Sequence, residues 1–198
     1  MNHQLRRAAL ALAIAACAHQ AQAQTALNTV ISMDNGYVAY LSTSDNATGT
    51  AFASFNDWTT AHAGSAGLAT GVSYYLHVYG YDQGGPAAFA GQFTLSGGGH
   101  VFENGQATLL TDSVHWRGNT TGFNGSYGAV SSWGTDGSNG TWGNLGGLPD
   151  AAERIWIGDL NSNDVAYFST RIAAVPEPTT WLMMAAGLAG LALVRRRA

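Results

Sequence analysis

The sequence has no lysine and a single cysteine in 198 residues. Only 10% of its residues are charged, and it has just four prolines. Positive charge gathers at the ends: Arg6 and Arg7 at the start, Arg195, Arg196 and Arg197 at the finish. Between them stand only Arg117, Arg154 and Arg171. Residues 24–175 set those three arginines against eleven acids, a net charge of −8. Such a body repels phosphate backbones, which excludes nucleic acid as a partner. One cysteine excludes a disulfide framework. No long segment repeats apolar residues every 3.6 positions, and no repeat of fixed period occurs. There is no Gly-x-Ser-x-Gly elbow, Walker loop or dinucleotide fingerprint. His62, His77, His100 and His115 fall in no paired zinc-ligand spacing. Acids such as Glu103 and Asp112 are present, but sequence alone pairs no two carboxylates at a glycosidase distance. No catalytic residue is assigned, and the chain is expected not to be an enzyme.

What is present begins with a leader. Residues 1–7, MNHQLRR, are basic; residues 8–18, AALALAIAACA, are apolar. Ala21-Gln22-Ala23 then fits a small-x-small cleavage site, which predicts a secretory signal peptide over 1–23 and the general secretory route. Ile14-Ala15-Ala16-Cys17 is similar to a lipobox, which offers lipidation of Cys17 as the alternative ending. If cleavage follows Ala23, the mature chain has no thiol.

The 26 glycines and the scarcity of charge suit an all-β, turn-rich body over residues 24–174. Runs rich in Val, Ile, Tyr, Phe and Thr predict strands at 28–33, 37–42, 73–81, 89–95, 155–158 and 164–172. Asp34-Asn35-Gly36 reads as a hairpin turn joining the first two. Gly84-Gly85-Pro86 and Gly97-Gly98-Gly99 punctuate later strands. The Gly/Asn/Ser/Thr-rich stretch 118–150 reads as a long, partly ordered loop excursion pinned to the body by Trp133 and Trp142.

Strand 73–81 alternates most clearly. Tyr74, Leu76 and Val78 share one face, expected to be core; Tyr75, His77, Tyr79 and Tyr81 share the other. The second face is an aromatic ladder. It is either covered by the long loop or serves, with Trp133 and Trp142, as a platform for sugar rings. Asp159, Asn161, Asn163 and Asp164 space oxygen ligands as a calcium loop begins. Asp164 stands where such a loop needs glycine, so a turn with Asx hydrogen bonds is the competing reading. Asp34 and Asn35 form a second oxygen pair with the same two readings.

The body resembles galactose-binding-like jelly rolls of bacterial surface proteins. The likeness rests on MDNGYVAYLST, LATGVSYYLHVYGYDQGGPAAFAGQFTL and RIWIGDLNSNDVAYFSTRI. It implies a jelly-roll-like β-sandwich: an early hairpin, a strand–Gly-Gly-Pro–strand unit, and a Trp-containing strand paired with a closing Tyr-Phe strand.

The chain ends in VPEPTTWLMMAAGLAGLALVRRRA. Fourteen uncharged residues, 181–194, precede the three arginines. As a single hydrophobic helix they would measure about 21 Å, short of a ~30 Å hydrocarbon core. Pro176 and Pro178 separate them from the last strand. The arginines would stay cytoplasmic, leaving the body outside. The segment 175–198 is identified as similar to the PEP-CTERM sorting signal. Its marks are Val175, Pro176, Glu177 and Pro178, then the hydrophobic run, then Arg195, Arg196 and Arg197. The resemblance implies processing by the membrane enzyme exosortase. It also implies transient anchoring in the inner membrane through 181–194 and delivery to the cell surface or beyond. A structural or adhesive role in exopolysaccharide or biofilm follows as the expected function; a carbohydrate-binding module is the alternative, and a secreted hydrolase the third.

Overall fold

The computed structural model describes residues 24–138 and 140–176. The expected leader with Cys17, and Glu177, Pro178, the 181–194 run and Arg195–Arg197, lie outside the described residues. Among the described residues thirteen strands succeed one another. They are β1 (Thr25–Met33), β2 (Gly36–Ser42), β3 (Thr50–Phe55), β4 (His62–Leu68), β5 (Tyr74–Tyr81), β6 (Phe89–Leu95) and β7 (His100–Phe102). After them come β8 (Thr108–Leu110), β9 (Arg117–Asn119), β10 (Gly128–Ala129), β11 (Ser131–Thr135), β12 (Glu153–Trp156) and β13 (Val165–Ala174). Among the described residues the only helical element is a 3₁₀ turn, Asp136–Ser138.

The strands form two antiparallel sheets packed as a sandwich. The first runs β11-β12-β6-β1-β4, with β8 also paired to β6. The second runs β10-β9-β13-β5-β2-β3, with β7 also paired to β13. The alternation of the sequence sets each sheet's inner face. Leu27 and Ile31 of β1, Phe89 and Phe93 of β6, Leu76 and Val78 of β5, and Phe168 and Ile172 of β13 are fully buried. Aromatic rings fill the centre: Phe89 meets Trp116 edge-on at 5.1 Å, and Trp156 lies 5.6 Å from Phe168. The two fully buried indoles find acceptors, Trp116 at Leu110 O (3.2 Å) and Trp156 at Asn163 O (3.0 Å). Gly80 completes the inner face of β5, where a Cβ would lie 2.2 Å from Met33 Sδ. The sheets close together at that point only because the residue lacks a side chain. Tyr74, expected in the core with Leu76 and Val78, is half-buried at the sandwich end.

Several expected pairings are corrected. Asp34-Asn35-Gly36 is not a hairpin: β1 lies in the first sheet and β2 in the second. Both sides of β1 are already taken, by β4 and β6, so the turn becomes a corner across the sandwich. Asp34 N–H donates to Ala88 O and Asn35 N–H to Tyr81 O, tying the corner to both sheets. The Gly84-Gly85-Pro86 turn likewise crosses between sheets, from β5 to β6. The Trp-containing strand β12 does not pair with β13; they face each other through Trp156 and Phe168.

The stretch 118–150 is also more regular than a loop excursion, since it holds most of β9, all of β10 and β11, and the 3₁₀ turn. Its second half closes on a buried ion pair. Arg154 Nη2 donates to Asp136 Oδ1 and, at 2.9 Å, to Gly143 O. Asp136 Oδ2 accepts from Leu145 N–H at 3.1 Å. Trp142 covers the guanidinium at 5.3 Å and donates its indole N–H to Asp34 Oδ2 at 2.8 Å. Burial raises the Asp34 carboxyl pKa, while that indole bond pulls it back down. Trp133 is half-buried against the core from β11.

Candidate functional site: a tyrosine groove on the second sheet

The outer face of the second sheet presents the odd-numbered half of β5, flanked by β2 and β13. Register places Tyr40 opposite His77, and Tyr167 opposite Tyr79. Side chains so aligned share a face, so three strands together lay down a tyrosine surface. Tyr79 lies 5.1 Å from Tyr167 and 6.1 Å from Tyr81 between ring centroids. All four tyrosines are half-buried rather than covered. Burial, with Tyr167 as the next contributor, raises the Tyr79 phenol pKa, so it stays neutral as donor and acceptor.

Two loops wall this surface. Residues 120–127 cross it and insert Phe123, which stacks on His77 at 4.5 Å and 8°. Phe123 also meets Tyr40 at 5.6 Å and Tyr167 at 5.1 Å, both edge-on. The loop is wound tightly by Asn119, whose Oδ1 accepts from Thr121 N–H at 2.8 Å and Gly122 N–H at 3.0 Å. Gly125 is required there, because a Cβ would stand 2.2 Å from Thr121 Oγ1. The second wall, residues 43–49, brings Asp45 onto the sheet. Tyr127 bridges the walls by donating to Asp45 O or Phe123 O, each at 3.2 Å.

Asp45 is a hub. Ser169 Oγ donates to Oδ1 at 2.6 Å, Arg117 Nη2 donates to Oδ2 at 3.1 Å, and His77 Nε2 lies 3.6 Å from Oδ1. Serine, histidine and aspartate meet here, but the hydroxyl donates to the carboxylate instead of to the imidazole. His77 and Ser169 are both 0% exposed, so no substrate atom reaches either. The cluster pins loop to sheet and is not wired as a nucleophile and base. Burial lowers the His77 imidazole pKa, with Asp45 pulling it back up.

Between the walls lies an open groove of about 570 Å³, floored by Tyr40, Tyr79, Tyr167 and Phe123. A second hollow of about 500 Å³ adjoins it over Tyr75 and Tyr127. Asn46 and Asn124 border both. The combination is apolar ring faces with neutral amides and hydroxyls at the rim.

The structure brings Tyr79 and Tyr81 together and adds the neighbouring hollow over Tyr75. Trp133 and Trp142 are elsewhere, against the core from the first sheet and over Arg154. Tyr40, Tyr167 and Phe123 complete the groove. The two tyrosines were findable by extending the outward alternation to adjacent strands; nothing local marks Phe123. Asp159, Asn161, Asn163 and Asp164 lie on a turn closed by its own bonds. Asn163 Nδ2 donates to Ile157 O at 2.8 Å, and Asp159 N–H donates to Ser162 Oγ at 2.9 Å. Asp34 and Asn35 accept from Trp142 and from Gln83 N–H. Among the described residues no three His, Cys, Asp or Glu side chains cluster as a metal site. Val175 and Pro176 are exposed immediately after β13, and Val175 N–H still bonds Gly99 O at 2.9 Å.

Comparison with known proteins finds a relationship at that exit. The family model of the PEP-CTERM protein-sorting motif matches residues 174–197. No curated protein and no solved structure matches the chain, so the galactose-binding-like resemblance of the body gains no support. The matched motif indicates an exosortase-targeted surface or extracellular protein that is membrane-anchored in transit. What the comparisons place on this chain is therefore a PEP-CTERM protein-sorting motif, carried by its C-terminal residues 174–197.

Proposed function

We propose that the exported sandwich is a non-catalytic structural or adhesive protein of an exopolysaccharide or biofilm matrix. The observation that carries adhesion is the tyrosine groove. Tyr40, Tyr79 and Tyr167 offer ring faces to the C–H faces of sugars, while their hydroxyls and the rim amides offer hydrogen bonds. The net charge of −8 over residues 24–175 disfavours anionic chains and favours neutral polysaccharide. The groove is open along the sheet, which suits a segment of polymer.

A second reading, a dedicated carbohydrate-binding module, draws on the same groove and on Tyr75 and Tyr81 beside it. A hydrolase draws less support, since the Ser169–Asp45–His77 cluster is closed to substrate. Affinity electrophoresis of the mature protein through gels of neutral polysaccharides tests the groove. Retardation is expected, and Tyr79→Ala or Tyr167→Ala should weaken it about tenfold, equivalent to ~1.4 kcal/mol. No retardation in any polysaccharide would sink both sugar-binding readings. A matrix of unchanged cohesion after deletion of the protein would sink the structural one.

A further inference from the structure

Both ends of the sandwich chain leave from one place. Thr25, the first residue of β1, pairs with Leu68 at the end of β4. A Cβ on Gly99 would lie 2.9 Å from Thr25 Oγ1, and Gly99 O accepts Val175 N–H at 2.9 Å. One glycine thus lies beside the Thr25 side chain and bonds the Val175 backbone. Two turns at this end, 69–73 (ATGVS) and 96–99 (SGGG), carry no charge. Val72 and Val175 are exposed there, at 37% and 36%. The third turn at this end contributes Asp45, which is folded onto the sheet face and bound by Arg117. Glu103 sits at the side edge, beyond Phe102 where it pairs with Ile172.

The opposite end differs. Its connections hold Asp34, Asp57, Asp82, Asp159 and Asp164. The charge asymmetry therefore runs along the strands, from a neutral exit end to an acidic far end.

Only residues 176–180 separate Val175 from the apolar run at Trp181. Five residues reach about 18 Å even when fully extended. A sandwich tethered so closely cannot turn its far end to the bilayer. We propose that the precursor stands on the outer leaflet of the membrane with the exit end, turns 69–73 and 96–99, against the lipid. The acidic end then points away, where anionic headgroups repel it least. The occupant of this neutral surface is the bilayer in which the chain's own tail is anchored, and the inference rests on the sorting reading. Residue 24 opens at the same end, so an uncleaved leader would hang the body from the same side. Removing the tail beyond Pro176 breaks none of the strand pairings, so the body is released folded.

The test uses the full 198-residue precursor with Cys17→Ser, reconstituted in phosphatidylethanolamine–phosphatidylglycerol vesicles. Thr70→Cys and Ser96→Cys place a fluorophore at the exit end; Gln83→Cys and Asn161→Cys place it at the far end. A nitroxide carried on a lipid headgroup is the quencher. A ten-residue strand such as β13, at ~3.4 Å per residue, separates the ends by about 30 Å, so at least about threefold stronger quenching is expected at 70 and 96. A membrane-bound precursor whose two ends quench equally would overturn the orientation alone. A precursor that stays out of the vesicle fraction would overturn the sorting reading beneath it.

Discussion

His77 shows how much one position decides. It belongs to the outward face of β5, where the alternation of the strand places a solvated side chain, yet it is fully buried. Phe123 arrives from more than forty residues away and covers it. Burial holds the imidazole below its usual value of 6.5, against Asp45. As pH falls the unfolded chain therefore takes up the proton first. Stability is whole above 6.5 and declines below it, through the lowered folded value. The urea midpoint of the mature protein should drop as pH falls below about 6.5, and His77→Phe should flatten that drop while keeping the ring stack. Equal slopes for the two proteins would show that another group titrates in that window. The tyrosines around it follow the simpler rule: Tyr40, Tyr79 and Tyr167 are where alternation puts them, and only their joining across three strands needed the fold.

At the scale of elements, the turns are the instructive case. Asp34-Asn35-Gly36 and Gly84-Gly85-Pro86 are turn sequences by their chemistry, and turns are found at both. What neither sequence states is whether the next strand pairs with the last or crosses to the other sheet. In-sheet hairpins join β2 to β3, β9 to β10 and β11 to β12; the early signals instead mark crossings. The strands missed in the sequence share a reason. β3 and β4, TAFASF and HAGSAGL, are small-residue edges of their sheets, while β7 to β11 are two to five residues long. Their order comes from pairing with β1, β2, β6, β12, β13 and one another, more than from propensity. The segment after β11 is held by Arg154 and Asp136, and here a single change should tell. Asp136→Ala leaves a guanidinium buried without its anion, at a cost of about 3–5 kcal/mol. Urea denaturation should show the loss as a lower midpoint; a loss below about 1 kcal/mol would mean the pair is dispensable.

For the whole molecule, the sorting motif and the fold meet at Val175. The last backbone bond of the body is at that residue, which also opens the signature, with Pro176 exposed after it. Replacing Pro176-Glu177-Pro178 by alanines should leave unprocessed precursor in the membrane fraction of the native host, read as a heavier band on immunoblot. Release at normal mass and rate would show that the triplet does not direct processing.

Composition and pattern alone determined the class. Abundant glycine, few charges and short β-branched and aromatic runs specify strands and turns, and period-two alternation along β5 and β13 names most of their core. The sorting tail was equally legible, because a motif, a hydrophobic run and a charge cluster are read in order along the chain. Only the tertiary structure decided what depends on distant partners: which turns cross the sandwich, which outward residues become buried, and which tyrosines share a groove. It also decided that residues 25 and 175 meet at Gly99. Local sequence sets what a residue tolerates. Where two segments far apart in the chain touch is fixed by how all the strands pack at once.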